Sequence, residues 1–149
     1  MDDLKLVTYC GLYCRLCAQC GRIPRQAQRL RESMDREGYP FWGQAIPGFE
    51  AFWQFLADLA DESRQCLGCR SGACGNPDCA IRRCAVERGI TVCPLCEDYP
   101  CEHINTLAAR YPTLIADGLR LKDLGLHAWI AYQEARAATG FAYCDIRYD

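Results

Sequence analysis

The chain is poor in histidine and serine. Two histidines and three scattered serines in 149 residues leave no basis for a Ser–His–Asp set. No glycine-rich phosphate loop is present. No stretch approaches the ~20 consecutive apolar residues of a membrane-spanning helix. The opening, MDDLKLVTYC, is acidic and carries neither the basic flank nor the apolar run of a secretory leader. These absences lead to the expectation of a cytoplasmic protein with no membrane partner. Lysine is also scarce, with only Lys5 and Lys122. The positive charge is therefore nearly all arginine, whose planar donor fork suits hydrogen bonding near sulfur-rich, negatively charged sites. No internal repeat and no low-complexity tract is evident.

What the chain has in excess is cysteine. It carries 13, an odd number that excludes complete pairing within one chain. At this length about 70% of the unfolded surface is buried on folding, so disulfide staples are not needed merely to fold. Cytoplasmic thiols stay reduced, which favours metal ligation over disulfides. The formal charge of −2 then needs correction. Twelve thiolates on three divalent ions would bring the net charge to roughly −8. Such a protein is no general polyanion binder, and nucleic acid is disfavoured as a partner.

The cysteines fall into two blocks. Cys10, Cys14, Cys17 and Cys20 occupy eleven residues. Cys66, Cys69, Cys74, Cys79, Cys84, Cys93, Cys96 and Cys101 occupy 36, and Cys144 stands alone. Zinc takes four ligands tetrahedrally, with Zn–S near ~2.3 Å. A C-x-x-C turn offers two sulfurs from one loop, and CLGC at Cys66–Cys69 and CPLC at Cys93–Cys96 are such turns. The simplest grouping is by chain order. Cys66, Cys69, Cys74 and Cys79 make one site, and Cys84, Cys93, Cys96 and Cys101 another. CAIRRCAVERG reads as a short helix ending at Gly89. Residues five apart on a helix differ by about 140°, which separates Cys79 from Cys84. An interleaved arrangement, with ligands traded between sites, is the alternative. The first block could close one zinc with its four sulfurs. Its Cys14–Cys17–Cys20 spacing is equally that of ferredoxin loops holding a 4Fe–4S cluster.

The residues YCGLYCRLC, CLGC, CAIRRCAVERGITVCPLCEDYPCEHI and TGFAYCDIRYD, in that order, resemble domain-of-unknown-function family 3795, a family of microbial cysteine-rich proteins. The resemblance covers most of the chain. It implies zinc binding, the property by which members are generally described, and no established activity. It carries over Cys10, Cys14, Cys17, Cys66, Cys69, Cys79, Cys84, Cys93, Cys96 and Cys101 as family cysteines. Cys74 falls in a more variable loop, the Cys20 position is commonly aromatic, and the Cys144 position is commonly small. The resemblance thus implies a first site with three cysteine ligands and an open or non-cysteine fourth position.

Between and beyond the blocks the periodicity is helical. Ile23, Ala27, Leu30 and Met34 predict a helix over 24–37, and Phe49, Phe52, Trp53, Leu56 and Leu59 one over 48–62. A helix is expected from His103 to Arg110, and two more segments broken near Gly125. The tail after Gly140 reads as a short strand, with KLVTY as its partner. Arg22, Arg25, Arg29 and Arg36 lie within about 60° on the first helix. They read as a solvated face balanced by Glu32, Asp35 and Glu37, in preference to a phosphate-contact stripe. Phe41, Trp42, Phe49, Phe52 and Trp53 read as core packing in preference to a ligand pocket. His103 is a candidate replacement ligand, His127 a surface or core residue, and Cys144 a thiol with nothing local to lower its pKa.

The expected fold class is therefore mainly α with short β-strands, a small α+β protein with metal-stapled cysteine-rich loops and zinc-knuckle-like turns. It forms a single domain over 1–149. Within it, 1–62 holds the first cysteines and two helices, 63–104 the knuckle region, and 105–149 a helical part with a terminal strand. The expected function is structural zinc binding by two or three four-cysteine sites, in an interaction or scaffold module for a protein or small-ligand partner. A closed tetrathiolate shell leaves no water position, which disfavours an enzyme. The alternative is a 4Fe–4S redox or assembly protein, or a metalloenzyme, using Cys10, Cys14 and Cys17.

Overall fold

Helix forms where apolar residues recur at three and four. The structure is a computed structural model describing residues 4–64, 67–72 and 76–147. Helix α1 spans Ile23–Arg36, with Pro24 in its first turn, where a missing N–H costs nothing. The short α2 spans Tyr39–Trp42 and α3 spans Phe49–Ala60. Helices α4 (Ala80–Glu87) and α5 (Glu102–Ala108) flank the Cys93–Cys96 turn. Helices α6 (Leu114–Leu124) and α7 (Leu126–Ala138) follow, separated by Gly125 at φ 78°.

Helix α3 packs along α1. Phe49 is buried there, stacked on Trp53 with ring centroids 5.6 Å apart. The other side of this pair is left bare. Phe41 is 90% exposed, and Trp42, Phe52 and Phe55 are exposed as well. Core packing thus holds for Phe49 but not for Phe52, because α1 covers only one face of α3, nor for Phe41 and Trp42, because the short α2 buries none of its residues.

The main core gathers Val7, Tyr13, Leu16, Val92, Leu121, Trp129, Ala137 and Tyr143. It sits where α6 and α7 meet the first cysteine segment. Trp129 is fully buried, its indole Nε1 donates to the Asp117 carbonyl at 2.9 Å, and Tyr13 meets it edge-on at 6.0 Å. A buried Asp117–Arg136 ion pair at 2.8 Å ties α6 to α7. A second core of Tyr99, Ile104 and Leu114 has Cys10, Cys93, Cys96 and Cys101 packed against it. Close packing explains Gly118 on α6. A Cβ there would meet Tyr99 Oη at 2.0 Å and Pro94 Cγ at 3.1 Å.

The fold class expected from sequence is corrected. Among the described residues there is no β-strand. KLVTY does not pair with the tail. Its Val7 makes one isolated bridge to Tyr13, closing a loop on itself. The tail forms a 3-10 turn at Tyr143–Asp145, where the Ala142 N–H bonds the Asp145 carboxylate. That side chain takes the hydrogen bond a strand partner would have taken. The metal-stapled loops with zinc-knuckle-like turns are corrected too. Among the described residues no group of three or more Cys, His, Asp or Glu side chains is gathered closely enough to hold a metal ion. Hydrogen bonds and arginine ties hold the described loops instead.

Candidate functional site

The cysteine turns are built by backbone hydrogen bonds that the C-x-x-C sequence permits. In Cys93–Leu95 and in Cys14–Leu16 the chain makes one 3-10 turn. The second cysteine's N–H returns to the first cysteine's carbonyl, at 2.8 Å for Cys96 and 3.0 Å for Cys17. Both turns leave the second cysteine extended, at φ −73°, ψ 143° and φ −75°, ψ 124°. The same local form thus recurs in the two blocks. Its Pro94 is buried, and its Leu16 is at 0% exposure in the main core.

The segment 5–14 runs between the second block's loops. Thr8 Oγ1 accepts the Leu12 N–H at 2.9 Å, rounding the chain so that Cys10 sits at the bend. Cys93 N–H donates to the Tyr9 carbonyl at 2.7 Å, and Tyr9 N–H donates to Cys69 Sγ at 3.3 Å. Arg70 completes the clamp. It donates to the Val7 and Thr91 carbonyls, each at 2.6 Å, and lies over the Tyr9 ring at 4.3 Å. Sequence reading missed Arg70. Its only signal was its place directly after Cys69.

The thiols sort differently from their order in the chain. Burial pushes the Cys10 thiol up, and the nearby Cys69 and Cys79 push it further. Burial raises Cys93 to about 12, with added repulsion from Cys10, Cys101, Cys84 and Cys96. Cys10 therefore lies among the second block's sulfurs. Cys79 and Cys101 stand at the N-terminal caps of α4 and α5, with Cys79 Sγ accepting the Arg82 N–H at 3.5 Å. Cys84 lies on α4 five residues after Cys79, as the sequence predicts. Cys66 and Cys74 lie outside the described residues.

Cys14, Cys17 and Cys20 form a separate neighbourhood. The π-helical turn Ala18–Arg22 leads from Cys17 into α1 and carries Cys20. Gly21 lets it press on the preceding turn, since a Cβ there would fall 2.3 Å from the Arg15 carbonyl oxygen. Cys14 and Cys20 line a cavity of about 330 Å³ together with Lys5, Arg15 and Arg25. Cys17 is lowered to about 6, first by the hydrogen bond from the Cys20 side chain, then by backbone N–H groups and the Arg147 charge. Cys144 is near Arg22, with Nη1 to Sγ at 3.6 Å. His103 and His127 are exposed.

All eleven described cysteines are free thiols. Their titration gives the metal-free chain a signed pH dependence. Cys17 is depressed from 9.0 to about 6, so its stabilising contribution is complete above pH 9 and is lost as pH falls through 6. Cys93 is raised from 9.0 to about 12, so its contribution is complete below pH 9 and is lost as pH rises through 12. The small urea resistance that chelator-treated, reduced protein keeps should therefore rise between pH 6 and 9 and fall above pH 9. Cys17→Ser should flatten the first limb only.

The Cys10 and Cys93 thiols, each opposed in ionising by neighbouring sulfurs, fit a soft divalent cation. Each thiolate opposes ionisation of its neighbours, and a positive ion among them reverses that repulsion. Among the described residues no helix is long and apolar enough to cross a membrane. A family model described as "Protein of unknown function (DUF3795)" matches residues 6–106. That span includes every cysteine except Cys144. No curated protein matches the chain, and no solved structure does.

Proposed function

The chain belongs to the DUF3795 family, and we propose that its cysteine thiolates bind zinc in a structural role. One observation carries this reading. Cys10, Cys84, Cys93, Cys96 and Cys101 come from distant parts of the chain into one electrostatically coupled neighbourhood, and none is spent on a disulfide. Bringing five thiols together without bonding them serves little purpose in an apolar core, where smaller hydrophobes pack without ionising. Four thiolates on one zinc satisfy that neighbourhood and leave no water position for chemistry.

The ligand sets follow the chain-order grouping, with Cys10 in place of Cys74. Cys84, Cys93, Cys96 and Cys101 would hold one ion. Cys10 would join Cys69 and Cys79, its electrostatic neighbours, with Cys66 supplied by the C-x-x-C turn. Cys74 is then spare. Closing either shell takes side-chain motion, because the described thiols do not already form one. Cys14, Cys17 and Cys20 remain as a three-thiol set for a third ion or for the 4Fe–4S alternative. Zinc, when bound, would supply positive charge that neutralises the crowded thiolates. The chain's own part is to hold the turns open to it through the Tyr9, Arg70 and Thr8 hydrogen bonds.

Metal analysis with an optical spectrum on anaerobically purified protein tests the reading. The expected result is a colourless protein with two or three zinc ions per chain. Cys10→Ser should lose one ion, and Cys74→Ser should lose none. A brown protein containing iron and sulfide supports the cluster alternative. Zinc loss from Cys74→Ser but not from Cys10→Ser would overturn the placing of Cys10 in that site.

A further inference from the structure

Beside the thiols, and with no cysteine in its lining, lies a cleft of about 340 Å³. Its size is within the range of small-molecule sites. Arg15, Arg22, Arg25 and Arg29 line one side, and Gly140 and Phe141 lie among the residues lining the other. We propose that this cleft binds a small polyanion bearing phosphate or carboxylate groups.

The charge balance inside the cleft carries the inference. Arg15 Nε is paired with Glu134 at 3.1 Å. Arg22 is held at both ends of its fork by Asp145, at 2.6 Å each, and donates to the Gly140 carbonyl at 2.5 Å. Those two guanidinium groups are neutralised and fixed. Arg25 has only its Nε engaged, donating to the Gly21 carbonyl at 2.8 Å. Arg29 makes no side-chain hydrogen bond or ion pair among the described residues. Glu32, Asp35 and Glu37, which the sequence offered as the balance, pair with neither. Glu32 accepts from Gln28 instead.

Two uncompensated cations are therefore placed four residues apart on α1. Like charges at that spacing weaken a helix. Here they line a cavity whose wall includes an aromatic ring, and Glu62, which lines a neighbouring cavity with both, forms an ion pair with neither among the described residues. An anion with two or more charges relieves the repulsion and accepts bidentate hydrogen bonds from the free forks. Phe141 would meet an apolar portion of the same molecule. Arg25 and Arg15 also line the neighbouring cavity of Cys14 and Cys20, so the anion would rest on the outer side of the arginines that border those thiols. The inference does not depend on which metal, if any, the thiols hold.

The test is calorimetric titration of the full chain with pyrophosphate and, separately, with citrate, each at matched ionic strength against chloride. Saturable binding of one ion per chain is expected for at least one probe, and the stronger probe identifies the group recognised. Arg29→Ala and Arg25→Ala should each weaken it by about tenfold or more. Arg36→Ala removes a cation from the same helix outside the cleft and should leave binding unchanged. Arg29→Lys keeps the charge without the fork and should fall between. No saturable binding of either probe, or an equal loss in Arg36→Ala, would overturn the proposal.

Discussion

Removing the proposed zinc with a chelator under reducing conditions should collapse the chain's resistance to urea. Structural zinc contributes an apparent ~10–16 kcal/mol per site near neutral pH. The whole stability of a domain is about 5–15 kcal/mol. Loss of even one ion is thus expected to cost as much as the fold can spare. The opposing contribution is local. The Cys93–Tyr9 hydrogen bond and the two Arg70 donations hold the loops without metal. At roughly 1 kcal/mol net each, they recover only a fraction of one site. The measurement is a urea titration followed by far-ultraviolet circular dichroism, with and without chelator, and with zinc added back. Recovery on adding zinc separates metal loss from thiol oxidation.

Trp129→Ala should be the most damaging single substitution away from the cysteines. Trp129 is at 0% exposure, and its indole N–H is bonded inside the core. Truncating a buried tryptophan costs ~3–5 kcal/mol through lost burial and the cavity left behind. The Asp117 carbonyl also loses its partner, while Asp117 continues to hold Arg136. At ~2–4 °C per kcal/mol for a chain of this size, the melting temperature should fall by about 10 °C. Zinc proposed for Cys84, Cys93, Cys96 and Cys101 should be retained, because Trp129 packs on α6 and on Tyr13 of the first cysteine segment. Trp129→Phe keeps the ring and removes the N–H. It should cost roughly 1–2 kcal/mol, from the lost indole hydrogen bond and the lost volume. Parallel thermal melts and metal analyses of the two variants check both points.

Much of the helical architecture was legible in the sequence because one face of each helix is buried. The 24–37 expectation appears as Ile23–Arg36, and 48–62 as Phe49–Ala60. Gly125 breaks the last two helices where expected. The tail misled because Phe141 and Tyr143 alternate like a strand. Both are in fact drawn inward by the core, where the Tyr143 hydroxyl accepts the Tyr13 N–H at 3.0 Å. Alternation marked burial correctly and pairing wrongly. The aromatic group at 41–53 misled in the opposite sense, since apolar content says nothing of which face a neighbour covers.

For the site, the Cys93–Cys96 turn was legible because it depends on local geometry, whereas Cys79 is the extended cap of α4 and not a helical residue, so the 140° argument does not apply to it. The place of Cys10 was not legible. It follows from Arg70 and Cys93 gripping the 5–10 segment, contacts more than sixty residues apart that no spacing rule encodes. The unbalanced Arg25 and Arg29 were also hidden. Sequence showed acids nearby on the same helix, and only coordinates show that they pair elsewhere or not at all.

X-ray absorption at the zinc edge on the purified protein tests the central claim most directly. The account predicts zinc in a first shell of about four sulfurs at ~2.3 Å, with no nitrogen or oxygen ligand. A protein that binds no metal while fully folded and reduced, or a first shell of nitrogen and oxygen, would contradict it.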